Sequence, residues 1–344
     1  MRALVRLEDR PEVALYEVGR AERIVDERAL GLPFGAAGLA RVSSSASRRL
    51  LALAPLPKVR CADRALGGVD LFHHTSRVLP PVARAAESIA VAEIPASAAS
   101  DRLLRAALAR VDAVLVFSAS CAKRLRDHYA LDAGRIHRVA VGCDHWRREL
   151  AALPPRDEVP RILVLGPLNA PRRHLRILKA FETLVESGLQ AHLHVVGAGG
   201  DAEQDFDRVV AASKVRLRVA RDRSLPEAEL AALVARSSVL VHLVDDVETA
   251  VTPLEAFSMG TPVVASRLPA LEEGLGAFAE LVLNGELDHD SELLVDAIER
   301  SIRSARDPAA CAARERHAAA FTWERNARET VAAWRAVLVR PSRP

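Results

Sequence analysis

The stretch SVLVHLVDDVETAVTPLEAFSMGTPVVAS (Ser238–Ser266) carries the residues best suited to chemistry: an apolar run leads into an acidic loop, and a short helix is expected from about Pro253. Proline costs nothing in a first helical turn, because its missing N–H would have no intrahelical partner there. The remaining free N–H groups and the positive end of the helix dipole make such a helix start a natural pyrophosphate cradle. Glu255, read as a first-turn residue, can accept two hydrogen bonds from ribose hydroxyls. Its plainer role is that of a charge partner for the helix dipole. Elsewhere the residue patterns exclude more than they offer. Gly197-Ala198-Gly199-Gly200 lacks the GxGxxG spacing and reads as a tight turn. Ser118 and Ser120 end an apolar run without an identifiable base, which leaves a serine hydrolase unsupported. Cys61, Cys121, Cys143 and Cys311 have neither CxxC spacing nor a histidine cluster, so scattered reduced thiols are expected rather than a metal site.

The elements that must hold these residues are most legible in the second half. RILVLG (Arg161–Gly166), AHLHVVG (Ala191–Gly197), KVRLRV (Lys214–Val219), SVLVHLV (Ser238–Val244) and TPVVAS (Thr261–Ser266) are short apolar runs of the kind buried on both faces of a parallel sheet. Helical spacing of Leu175, Leu178, Phe181 and Leu184 fills the first gap, with Ser187-Gly188 as its stop. Ser224 with Glu227 reads as a capping box for a helix running to Arg236. Strand and helix alternating at this pitch imply βαβ units and a doubly wound domain. In the first half MRALVRL, VDLFHHT, ESIAVAEI and DAVLVFS read as strands, and a second α/β domain follows. Pro154–Pro160 reads as a linker, and Phe321–Leu338 as a long helix capped by Thr322. Two such domains, at about 1–150 and 157–320, predict ligands held at the carboxyl ends of the strands, in a cleft that the domains face.

With 344 residues, half of them hydrophobic and 27% charged, the composition is that of a globular chain of two domains. No apolar run approaches the roughly 18–20 residues of a membrane span, and the first residues lack the apolar core of a signal peptide, so a cytoplasmic location is expected. Residues 1–150 hold 24 Lys and Arg against 17 Asp and Glu, whereas the remainder holds 24 against 28. The basic excess suits an anionic partner, and DRLLRAALAR with CAKRLRDHY would supply a basic, partly amphipathic surface to the inner face of a membrane. Aromatic residues make up only 4% and no basic run is interleaved with them, which argues against nucleic acid.

The motif order resembles that of the retaining GT-B glycosyltransferases of group 1, or family 4. Pro253-Leu254-Glu255-Ala256 and Gly260-Thr261-Pro262-Val263-Val264-Ala265 match their donor-site signature. Gly166 through Arg172-Arg173-His174-Leu175 is similar to their phosphate loop, and Ser224-Leu-Pro-Glu227 to a helix start near the nucleobase. Asp70 through Pro81, Val116–Ser118, Gly142-Cys143-Asp144 and Phe321–Arg325 also have counterparts. The resemblance implies two Rossmann-like domains in GT-B arrangement, with residues 321–344 as a helix crossing back to the first. It implies transfer of a sugar from a nucleotide-diphosphate sugar to a glycan, lipid-linked or small-molecule hydroxyl, with retention and without metal or cofactor. Arg172 and Arg173 would meet the pyrophosphate, with Gly166, Thr252 and Leu254 beside it, Glu255 the ribose and Glu248 the hexose. His73, His74 and His145 would contact an acceptor or serve as structural histidines.

Several positions depart from the pattern. The first glutamate belongs at Val247, with Glu248 one residue too near, and the Gly-rich turn after it is Thr249-Ala250-Val251-Thr252. The motif histidine aligns with Ala92, and Leu7-Glu8-Asp9-Arg10 stands where a glycine-rich loop is expected. These departures motivate a second reading: a non-catalytic GT-B-like scaffold or regulatory subunit of a partner glycosyltransferase.

Overall fold

A computed structural model describes residues 3–7, 12, 15–18, 41–44, 61–75, 77, 79–95, 97–247, 249–285 and 288–339. The chain divides into two compact units, residues 1–140 with 323–344, and residues 141–322.

Among its described residues the first unit holds two parallel sheets. Strands β1 (Leu15–Val18) and β2 (Arg41–Ser44) pair with each other. After helix α1 (Ala62–Ala65) come β3 (Leu71–His74), β4 (Ala86–Val91), α2 (Ala98–Arg110), β5 (Ala113–Val116), α3 (Ala119–Tyr129) and β6 (Ile136–Arg138), with strand order β3-β4-β5-β6. MRALVRL is not an opening strand: Leu4–Arg6 form a single 3₁₀ turn. A short apolar run has weak intrinsic β preference and takes the shape of what it packs on. The apolar faces of α2 and α3 face inward. Leu104, Ala107, Leu108, Cys121 and Leu125 join Ile89, Val114 and Val116 in one core, so these residues are not available to a membrane surface. Among the described residues no helix is long and apolar enough to cross a membrane.

The second unit begins with helix α4 (His145–Glu149) and carries one parallel sheet. Its strands are β7 (Arg161–Leu165), β8 (His192–Val196), β9 (Val219–Asp222), β10 (Val239–His242), β11 (Val263–Ser266) and β12 (Glu280–Val282). They lie in the order β9-β8-β7-β10-β11-β12, so the direction of winding reverses between β7 and β10. That switch point is where open α/β sheets bind ligands. The connecting helices are α5 (His174–Glu186), α6 (Glu203–Ala212), α7 (Glu227–Arg236), α8 (Val251–Phe257) and α9 (Pro269–Leu275), followed by α10 (Asp288–Ser304) and α11 (Pro308–Ala318). Helix α12 (Trp323–Leu338) belongs to the first unit, where Ala333 packs with Leu115 and Val139.

Three local expectations are corrected. Lys214–Val219 is not a strand: Arg216–Arg218 form a 3₁₀ turn, and β9 starts at Val219 at the sheet edge. Leu217 is 88% exposed there, while Val215 and Val219 on either side pack into the core. The capping box is absent, because Pro226 stands at the N-cap of α7 with no side-chain bond. In α5, Ile177 joins Leu178, Phe181 and Leu184 in the core while Leu175 is exposed. The Pro-rich segment is docked rather than strung out. Arg156 donates to Ala235, Ser237 and Ala305 carbonyls and to Thr261 Oγ1, while Asp157 accepts from Arg161 and Arg236.

Candidate functional site

The loop after β7 is shaped by glycines at a crossing of two chain segments. Gly166 has φ +128°, open to glycine alone, and its N–H donates to Val196 O at 2.9 Å. A Cβ on Gly166 would meet the Arg172 guanidinium, and one on Gly197 would collide with Gly166 O. A Cβ on Gly200 would likewise collide with Asn169 Oδ1 and Leu168 O. The turn after β8 therefore clasps the loop after β7, which explains the Gly197–Gly200 cluster without a dinucleotide fingerprint. Gly166→Ala is expected to dislodge Arg172 and to lower thermal stability by about 1–3 kcal/mol, read as a shift of the unfolding midpoint.

Arg172 closes a 3₁₀ turn, Ala170–Arg172, and its Nη1 donates to Leu165 O at 3.1 Å. Burial lowers its pKa, and no carboxylate among the described residues pairs with it. A desolvated guanidinium at a strand end attracts an anion more strongly than one in water. Arg173 differs. It adopts a left-handed conformation with φ +52° at the start of α5, and its Nε donates to Asp245 Oδ1 at 2.7 Å. An incoming phosphate must therefore compete with Asp245 for Arg173 but not for Arg172.

Two buried histidines, not singled out as site residues by the sequence, lie within electrostatic reach of Arg172. His174 is 4% exposed with both ring nitrogens unpartnered, and His242, at the end of β10, is 6% exposed with Nδ1 unpartnered. Burial and the Arg172 charge push His174 down to about 4 and His242 to about 3. Because these values are depressed, the stability contribution is complete above the unfolded value near 6.5 and is lost as pH falls through the folded value. Unfolding midpoints should therefore drop between pH 6.5 and 4, by about 1.4 kcal/mol per pH unit per histidine. His242→Leu should flatten that slope in denaturant titrations, and an unchanged slope would contradict the assignment.

Helix α8 starts at Val251, two residues before the expected opening, so Glu255 is not in the first turn. Leu254 is fully buried and its N–H donates to Ala250 O at 2.9 Å. The open N–H positions at this helix start are thus Val251 and Thr252, since Pro253 has none. Glu255 is 4% exposed, and burial followed by the Glu227 charge pushes its carboxyl up to about 8. Its neighbour is His145 of α4, with Nε2 3.4 Å from Glu255 Oε1. That contact places His145 at the helix bearing Glu255, and no spacing across so long a separation signals it. Glu248 lies outside the described residues.

In the first unit His74 Nε2 bonds Glu87 Oε2 at 2.7 Å, and Arg110 holds the same carboxylate. His73 Nδ1 meets Ser88 Oγ at 2.9 Å and its ring lies 5.3 Å from that of Trp334. Each ring thus has a hydrogen-bond partner on the neighbouring strand β4. Ser118 caps α3 through Cys121 N, and its Oγ lies 3.0 Å from Ser120 Oγ. Ala92 is exposed directly after β4. Among the described residues no group of three or more His, Cys, Asp or Glu side chains is placed to hold a metal ion.

Residues 159–304 match the family model for Glycosyl transferases group 1. Among solved structures, a glycosyltransferase from Rickettsia africae ESF-5 is similar with a TM-score of 0.69 and 14% identity, over 96% of this chain and 100% of that one. Sucrose-phosphate synthase from Thermosynechococcus elongatus gives 0.62 and 19%, over 78% and 74%. The pneumococcal O-GlcNAc transferase GtfA, solved with UDP and GlcNAc, gives 0.61 and 13%, over 74% of this chain and 53% of its own. The chain thus spans about half the length of GtfA. No curated protein sequence matches the chain. At these identities the likeness is one of fold: an α/β chain with parallel sheets, matching GT-B glycosyltransferase structures.

Proposed function

We propose that the protein is a glycosyltransferase that moves a sugar from a nucleotide-diphosphate sugar to an acceptor hydroxyl, without metal and with retention at the anomeric carbon. The observation that carries this reading is the family-model match over 159–304, the segment containing the switch point with Arg172 and the helix bearing Glu255. Bond cleavage leaves a diphosphate with added negative charge. Arg172, half-buried and without a carboxylate partner among the described residues, stabilises that charge, and Arg173 adds to it once Asp245 yields. Open N–H groups at Val251 and Thr252 supplement both. Glu255 accepts the ribose hydroxyls. The acceptor attacks the face that the diphosphate leaves, and a donor phosphate oxygen takes its proton, so no protein base is required. In this reading Glu248 meets the hexose, and Gly166 lies beside the pyrophosphate with Thr252 and Leu254.

The test is a panel of nucleotide sugars. The true donor raises the unfolding temperature, because a ligand that binds only the folded state stabilises it. Proton NMR of the product then reads the anomeric configuration, and inversion would overturn retention. The scaffold reading, favoured by Val247 and Ala92, expects no donor hydrolysis at all. Slow release of nucleoside diphosphate from the donor in water rejects it.

The basic excess of residues 1–150 supports an anionic acceptor, a lipid-linked phosphate included. Contact with anionic vesicles is expected to weaken with salt, since attraction is screened over about 10 Å at 0.1 M. No retention on such vesicles at low salt removes the membrane acceptor.

A further inference from the structure

His145 joins two carboxylates contributed by two other helices. Its Nε2 lies 3.4 Å from Glu255 Oε1 on α8 and 3.8 Å from Glu227 Oε1 on α7, and α4 packs on both of those helices. The Glu255 side chain is 5% exposed, whereas His145 at 30% and Glu227 at 48% reach solvent. A buried carboxyl beside a second carboxylate tends to keep its proton. The remaining ionisable groups around this helix do not relieve that tendency. The Cys143 thiol, pushed up to about 12 by burial and by the Asp144 and Glu255 charges, stays neutral and donates to Phe321 O at 3.2 Å. Asp144 is paired with Arg148. On α11, which also packs on α8, Arg314 is committed to the Gly260 and Ser304 carbonyls and His317 to Gly274 O. Among the described residues, His145 is the group within ion-pair distance of Glu255 that can carry a positive charge.

The ionisation of Glu255 decides what it recognises. A carboxylate presents two acceptor oxygens, whereas the protonated acid gives one of them over to an O–H donor. We propose that His145 is a positioning residue whose Nε2, beside Glu255 Oε1, takes up the Glu255 proton when a ribose docks, so that the carboxylate thus formed accepts both hydroxyls and the preference for ribonucleotides over 2′-deoxyribonucleotides depends on His145. This rests on the reading of the second unit as a nucleotide-sugar site.

The experiment is calorimetric titration of the full chain with UDP, GDP and ADP, their 2′-deoxy counterparts, and pyrophosphate alone. The wild type is expected to bind one ribonucleoside diphosphate about tenfold more tightly than its deoxy form, the worth of one hydrogen bond to a charged group. His145→Phe should bring that ratio close to one while leaving pyrophosphate affinity unchanged. His145→Lys, which keeps a cation at the position, should retain the ratio. A wild-type ratio in His145→Phe, equal loss in both variants, or no ribose preference in the wild type overturns the proposal and leaves the nucleotide reading standing. Failure of the wild type to bind any of the three ribonucleotides removes that reading, and this proposal with it.

Discussion

Arg172→Ala is expected to lower kcat/KM for the donor by about two to three orders of magnitude, the usual loss when one donor to a developing oxyanion is removed. The expectation follows from its surroundings. Its guanidinium is held by Leu165 O over a glycine that can carry no side chain, so it is set in place before substrate arrives. None of the described carboxylates has to be displaced from it, whereas Arg173 must first leave Asp245. Arg173→Ala should therefore cost less, about tenfold. Arg172→Lys should recover only part of the loss, because an ammonium cannot make the paired contacts of the planar fork. Steady-state kinetics on the donor found by thermal shift would check the order. An Arg172→Ala enzyme within about threefold of wild type would remove this residue from the leaving group.

The second large effect concerns stability rather than rate. Glu255 is held near 8 in the folded chain against an ordinary 4.5, so its proton is retained on folding. A value raised in this way gives a contribution that is complete below 4.5 and is lost as pH rises through 8. The span corresponds to a loss on the order of 5 kcal/mol, a sizeable share of the 5–15 kcal/mol typical of folded proteins. Glu255→Gln keeps the shape and the neutral state. It should match the wild type near pH 4.5, exceed it in denaturant midpoint at pH 8, and lose about tenfold in ribonucleotide affinity at that pH. Equal midpoints at pH 8 would place the Glu255 carboxyl in contact with water.

Much of this arrangement is legible in the chain, and the limits have physical causes. Continuous Val and Leu runs mark β7, β8, β10 and β11 because a parallel sheet buries both faces of its central strands. The edge strand β9 starts later than the run Lys214–Val219 predicts, because Arg216–Arg218 form a 3₁₀ turn whose Leu217 faces solvent. Helix α8 was displaced by two residues because Pro253 is tolerated within the first turn as well as at its first position. Motif order alone singles out Gly166, Arg172, Arg173 and Glu255 as candidates. It does not reveal the clasp of Gly197 on Gly166 or the contact of His145 with Glu255, because both depend on pairs of segments that meet only when the sheet forms.

The discontinuity of the first unit sets an order on its making. Its sheet and helices are translated early, yet the face of Leu115 and Val139 that Ala333 covers waits for helix α12, which emerges after the whole second unit. Asn326 and Glu329 of the same helix bond the backbone of Ala140, closing the first unit at its boundary. While the ribosome builds the second unit, that apolar face stays open to water and to neighbouring chains, the condition in which nascent proteins aggregate or recruit chaperones. The half synthesised first is the half completed last, so a chain cut after Thr322 keeps the whole second unit but leaves the first without helix α12.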